Sequence, residues 1–361
     1  MIRIDEIYDL VLWPWIQRNR AGVSLYYFMP FGTTTIQNIC NQSPKNNYKY
    51  IICFDQEPID LNRHGATLDH IYDLEKHRVC QDPPLLIVSE KDSTMVHSVC
   101  HKYRWQSRYY FFHGWAALDW YRGYQRTPLL IEPRLRDPRV TFMSPNRIIG
   151  GDRWHRVIMM YHLVRLGLVH NHISMPEWCP VEGSNIGDIA GKFTDTYPDI
   201  QDVFVRSPCF PMCMPGESDQ PQTSYRLDLW DTVADSMVYL VTETVADGER
   251  LHLTEKIFKP IALGMPFLLL STQGSLAYLR TYGFRTFGDF WDESYDQEAD
   301  VYRRCEKIAQ ILLNLDRMSV TQKRELWRAM LPTIEHNQKH FYSGAFESVL
   351  SEEFDSMLAS L

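Results

Sequence analysis

The stretch Val238–Phe267, VYLVTETVADGERLHLTEKIFKPIALGMPF, gathers residue types that handle an anionic ligand. An apolar run ends at Thr242 and Glu243, a polar loop through Asp247-Gly248-Glu249 follows, and Thr254 precedes Glu255, Lys256, Ile257, Phe258 and Ile261 at helical spacing. Thr254 is a good N-cap, because its hydroxyl can accept a first-turn N–H that has no partner within the helix. Gly264 ends the helix and Pro266 keeps it from resuming. The N-terminus of such a helix favours an anion, Lys256 in its first turn adds a full positive charge, and Glu255 can accept hydrogen bonds from ribose or sugar hydroxyls. Together these describe a diphosphate-sugar site; the same spacing also describes a capped surface helix with one ion pair.

A second cluster, SPNRIIGGDRWHR at Ser144–Arg156, places Arg147, Arg153, His155 and Arg156 around Gly150-Gly151. A glycine pair lets the backbone approach a ligand closely, and arginine binds phosphate through two parallel hydrogen bonds. The chain has no G-x-x-x-x-G-K-[ST] and no G-x-G-x-x-G, which removes support for common ATPases and dinucleotide enzymes. It also has no Asp-x-Asp, the pattern with which many glycosyltransferases hold a divalent ion, so Lys and Arg are expected to neutralise a leaving diphosphate instead. Cys209 and Cys213, with Cys179, could supply three zinc ligands, but no fourth sits at an accepted spacing. No metal and no bound cofactor are therefore expected.

The elements that must position these groups follow from the apolar pattern. Tyr48–Phe54, Leu85–Ser89, Met237–Thr242 and Pro266–Leu270 read as buried strands, and Arg153–Leu168 reads as an amphipathic helix. Strands interleaved with helices predict parallel sheets covered on both faces. Thr127–Pro145 holds four prolines and reads as a linker, and helices are expected at Gln322–Met330 and Gly344–Leu361. With 361 residues, 45% of them hydrophobic and 23% charged, the chain is globular and long enough for two domains. The acidic N-terminus does not match a signal peptide, no apolar run is long enough to span a membrane, and eight cysteines mostly inside apolar runs fit a reducing cytoplasm.

TEKIFKPIALGMPFLLL, with Glu243 a short loop upstream, resembles the donor-binding region of inverting α1,3-fucosyltransferases. It resembles more closely a group of bacterial and phage glycosyltransferase-like proteins, in which the pattern continues through Gly274–Asp296. NRIIGGDRWHRVIMMYHLVRLGL is similar to their upstream segment, so the resemblance covers about residues 140–300. It implies an α/β fold of GT-B type, two Rossmann-like domains facing across a cleft, with an acceptor domain at 1–139, a nucleotide-sugar domain at 140–330, and C-terminal helices at 331–361 packing back toward the first domain. By the same resemblance Lys256 and Arg156 would bind the diphosphate of a GDP- or UDP-linked sugar, Glu255 would contact sugar or ribose, and Glu243 would line the pocket. Arg153, Arg147 and Thr254 complete that set. In CFDQEP at Cys53–Pro58, which resembles the place where these enzymes keep their general base, Glu57 is the first choice and Asp55 the second.

The acceptor is read from charge. Residues 1–139 carry 17 Lys+Arg against 15 Asp+Glu, and residues 140–361 carry 20 against 30, so the net charge of -8 lies wholly in the second part. Within His101–Arg139 eight basic residues face three acidic ones, with ten aromatics woven among them. Arg104, Arg108, Trp115 and Arg122 are the expected acceptor contacts. Interleaved arginines and aromatics grip phosphates and stack on bases, so the arginine density makes a hydroxymethylated base of phage-type DNA the first expectation; aromatics stack on sugar rings as well, which makes a cell-surface oligosaccharide the alternative. A non-catalytic module that binds a phosphorylated ligand is the third reading.

Overall fold

The computed structural model describes residues 7–19, 23–28, 36–38, 49–75, 83–123, 132–180, 182–206, 210–217 and 227–361. The chain packs as two units. Unit 1 comprises residues 1–119, 248–252 and 347–361; unit 2 comprises residues 120–247 and 253–346. Each is built on a wholly or mainly parallel sheet, so the expected α/β fold with two Rossmann-like sheets is found.

In unit 1 the strands are β1 (Val23–Phe28), β2 (Ile36–Asn38), β3 (Lys49–Phe54), β4 (Leu85–Val88) and β5 (Gln106–Tyr109), in the order β2-β1-β3-β4-β5. All neighbours are parallel except the β1–β2 pair. Ile51, Ile52, Cys53 and Phe54 on β3 and Leu85, Leu86, Ile87 and Val88 on β4 are all buried, as expected of strands covered on both faces. Helices Leu61–Glu75 and Thr94–Tyr103 connect the strands, and Leu68, Ile71, Val96, Val99, Tyr103 and Trp105 join Ile52, Phe54, Leu86 and Val88 in one core.

Unit 2 holds β6 (Val140–Pro145), β7 (His172–Ser174), β10 (Ser236–Thr242) and β11 (Phe267–Leu270), with β8 (Trp178–Cys179) and β9 (Ser184–Asn185) forming a small antiparallel ribbon. The main sheet runs β11-β10-β6-β7, all parallel. From β6 the chain goes to β7 on one side, then returns as β10 on the other. The strand order therefore reverses between β6 and β10, with Tyr239 beside Met143 in the register. Every residue of central β10 is buried. Helix His155–Arg165 packs against helix Val301–Asp316, and helix Glu255–Leu263 against Val320–Tyr342.

The expected linker needs correction at its end. Thr141, Phe142, Met143 and Ser144 are buried and β6 is an inner strand; the prolines that suggested a linker stand before it and at its last residue, where they cost no inner ladder bond. Residues 127–131 of that stretch, and Tyr48, lie outside the described residues. No helix among the described residues is long and apolar enough to cross a membrane.

Candidate donor site and base loop

At the C-terminal end of β10, Glu243 is fully buried and serves as an acceptor for the turn that begins the next helix. Its Oε1 accepts the Thr254 amide at 3.0 Å, and its Oε2 accepts the Thr254 hydroxyl at 2.5 Å. Burial raises the Glu243 carboxyl above its usual range, and the Lys256 ammonium opposes that shift. Thr254 caps helix Glu255–Leu263 as expected, its hydroxyl accepting the Lys256 amide. The Lys256 Nζ donates to Thr244 Oγ1 and Thr254 Oγ1 at 3.2 Å each and to Glu255 Oε1 at 3.0 Å, and its side chain stays 28% exposed. Glu243, Thr254, Glu255 and Lys256 thus form one network around a helix N-terminus.

Arg156 lies on the other side of the strand reversal and bridges it. Its guanidinium donates to the Ile148 carbonyl at 2.7 Å, the Thr242 carbonyl at 2.8 Å and the Glu243 carbonyl at 3.2 Å. It is buried, and that burial lowers it to about 9. His155 bonds the Glu243 carbonyl through Nε2 at 3.0 Å and is held well below its usual range, first by burial and then by Arg156. Arg156 here braces the turn after β6 to the end of β10, a part that its helical spacing from Arg153 did not disclose. Arg153 is half-buried one turn earlier, and Arg147 is exposed just after β6. In the Gly150-Gly151 turn the Gly151 amide donates to Glu182 Oε1 at 2.6 Å, and Glu182 is paired with Lys192. Asn146, which accepts the Thr242 hydroxyl through Oδ1 at 2.7 Å, and Glu182 both escaped the sequence reading. Neither carried a local signal: Asn146 follows a segment whose prolines concealed the strand, and Glu182 stands 31 residues beyond Gly151.

Unit 1 carries the candidate base. Asp55 is fully buried just beyond β3, and Tyr110 donates its hydroxyl to Asp55 Oδ2 at 2.6 Å. Glu57, two residues on, is half-buried. Glu90 beyond β4, also missed from sequence, is buried and accepts the Ile59 amide at 2.6 Å and the Ser93 hydroxyl at 3.0 Å.

Most of the aromatics in the expected acceptor region belong to the core. Tyr103, Trp105, Tyr110, Phe111, Phe112 and Trp115 of unit 1 and Tyr121 of unit 2 are all buried, because large rings gain most by leaving water. Trp115 meets Phe354 edge-on at 6.2 Å, and Arg108 donates to Ser360 at 2.9 Å. Arg104 is exposed at the left-handed cap of helix Thr94–Tyr103. Arg122 is half-buried and belongs to unit 2, whereas the other three belong to unit 1. Much of the local positive charge is also used internally: Lys102 pairs with Asp69 and Arg134 with Glu335. Arg136 is buried on the carbonyls of Gly264, Val233 and Ser236. Among the described residues no group of His, Cys, Asp and Glu is placed to hold a metal; Cys209 lies outside them.

No family model matches the chain, and no curated protein sequence matches it. Among solved structures it is similar to the trehalose-6-phosphate synthase OtsA, at 12% identity and a TM-score of 0.38, over 84% of this chain and 67% of that one. It is similar also to an α,α-trehalose-phosphate synthase (UDP-forming) from Burkholderia vietnamiensis, at 12% identity and a TM-score of 0.36, over 86% of this chain and 70% of that one. Likeness at this level is too slight to bear on activity.

Proposed function

We propose that the chain is a glycosyltransferase that moves a sugar from a nucleotide diphosphate sugar to a hydroxyl acceptor, with inversion and without a metal. One observation carries the reading. The cation, hydroxyl and carboxylate network of Lys256, Thr254 and Glu255 lies at the C-terminal end of β10, beside β6, where the strand order reverses. Open α/β sheets bind their ligands outside the carboxyl ends of the strands at such a reversal, because the loops part to opposite faces there. In this reading Lys256 and the helix N-terminus take up the diphosphate charge, with Arg153 and Arg147 adding to it, while Arg156 keeps the two strand ends in place. Glu255 accepts a donor hydroxyl. Glu57 takes the proton of the acceptor hydroxyl as its oxygen attacks the anomeric carbon and the bond to the diphosphate breaks.

The burial of the aromatics weighs equally on DNA and glycan acceptors, whereas the pairing of Lys102 and Arg134 and the burial of Arg136 leave fewer cations for a polyanion and favour a glycan over a base flipped from DNA. The test is direct. The protein is incubated with labelled UDP- and GDP-sugars, and separately with oligosaccharides and hydroxymethylated DNA. Label on an oligosaccharide supports the reading, label on DNA alone restores the nucleic-acid acceptor, and nucleotide binding without transfer or hydrolysis shows a binding module instead. Activity is expected to survive EDTA; loss of activity that added Mg²⁺ or Mn²⁺ restores would overturn the metal-free part.

A further inference from the structure

Residues 248–252 belong to unit 1, although their chain neighbours on both sides belong to unit 2. In unit 1 Leu251 and Lys91 exchange backbone hydrogen bonds at 2.7 and 2.9 Å, and the Thr94 amide donates to the Glu249 carbonyl at 3.0 Å. Arg250 lies between these contacts with its side chain 12% exposed, its Nη1 3.4 Å from Glu90 Oε2 and 3.4 Å from the Ile59 carbonyl. The Glu90 side chain is 1% exposed, and its Oε1 accepts the Ile59 amide. Both backbone polar groups of Ile59 are therefore held by one buried ion pair. On one side of Ile59, Asp55 is held by the Tyr110 hydroxyl; on the other, the Asp60 amide donates to His64 Nδ1 at 3.1 Å. Gln56, Glu57 and Pro58 lie between Asp55 and Ile59.

We propose that Glu90 and Arg250 are positioning residues for the loop that carries Glu57, fixing it through the two backbone groups of Ile59. The inference rests on the reading of Glu57 as the general base. Glu90 cannot do this alone, because a buried carboxylate left without its cation is strongly unfavourable. Arg250 comes from the loop that joins Glu243 to Thr254, so the segment that ends at the donor helix also sets the base loop. Nothing in the spacing of the sequence pairs Glu90 with Arg250, which are 160 residues apart.

The test uses the full chain with Arg250→Met and Arg250→Lys, and reads transfer kinetics, UDP and GDP binding by calorimetry, and amide exchange across residues 55–60. Arg250→Met is expected to lower kcat at least tenfold with donor KM and nucleotide affinity changed less than twofold, and to speed exchange of the Ile59 and Asp60 amides at least tenfold. Arg250→Lys should recover part of both, and it carries the same readouts if the Met variant does not fold. Unchanged exchange with kcat within twofold overturns the proposal, and so does a parallel loss of nucleotide affinity, which would mark general loosening. If the unaltered chain transfers from no nucleotide sugar, the functional reading fails. The exchange measurement still decides whether Arg250 holds the loop.

Discussion

At Lys256 three oxygens already surround one ammonium, two from threonine hydroxyls and one from the Glu255 carboxylate. A diphosphate would exchange the weak hydroxyl partners for charged ones, and hydrogen bonds to charged groups contribute about 1.5–3 kcal/mol. Lys256→Ala is accordingly expected to weaken UDP or GDP binding about tenfold to a hundredfold by calorimetry; an unchanged affinity would place the nucleotide elsewhere. Glu57→Gln tests a different atom. It should abolish transfer while leaving nucleotide affinity unaltered, and a variant with normal turnover would remove Glu57 from the reaction. Gly264 supplies a purely conformational test. Its φ is +65°, and an added Cβ would stand 2.8 Å from Pro133 Cγ and 2.9 Å from Gln338 Nε2. Gly264→Ala should therefore cost about 1–3 kcal/mol of stability in urea unfolding.

Among the elements, those with continuous apolar runs were legible: β3, β4, β10 and β11 lie where runs such as IICF, LLIV and FLLL stand, since a strand buried on both faces needs no alternation. The capped helix Glu255–Leu263 was legible for a second reason, because Thr254, Gly264 and Pro266 each act within one turn of their own position. What could not be read depends on partners distant in the chain. β6 was hidden by its prolines, and only pairing with β7 and β10 shows it to be a strand. The aromatics of Tyr103–Tyr121 looked available for stacking, and the residues that cover them, such as Phe354 over Tyr110 and Trp115, arrive more than 200 residues later. The donor network was read from local spacing, whereas its bracing by Arg156 and the Glu90–Arg250 pair required the sheet order.

Taken whole, the molecule buries several imidazoles, and this sets a pH response. His64 is pushed down to about 4 by burial, with Arg63 adding to the shift and Asp60 opposing it. An unfolded histidine binds its proton near pH 6.5, so between about 6.5 and 4 the unfolded chain holds a proton that the folded chain refuses. The His64 contribution to stability is thus present above pH 6.5, is lost as pH falls toward 4, and is flat below that. His155 acts in the same direction, while buried Glu90 and Glu243, whose carboxyls are raised, act in the opposite one. Comparison with His64→Asn, whose amide oxygen can still accept the Asp60 N–H, isolates the His64 contribution. The unaltered chain should lose about 1–3 kcal/mol more than the variant between pH 7 and 4.5, and parallel profiles would contradict the assignment.

The scattered membership of unit 1 has a bearing on the order of synthesis. Unit 2 has all its residues once the chain has been made as far as Phe346, whereas unit 1, whose strands all precede those of unit 2, still lacks Phe354 and Ser360, the partners of Trp115 and Arg108. During translation the earlier-made half is therefore the later one to finish, and its large rings around β5 stay uncovered meanwhile. A chain released after residue 346 should be drawn into aggregates or held by chaperones, while its unit 2 has every residue it needs.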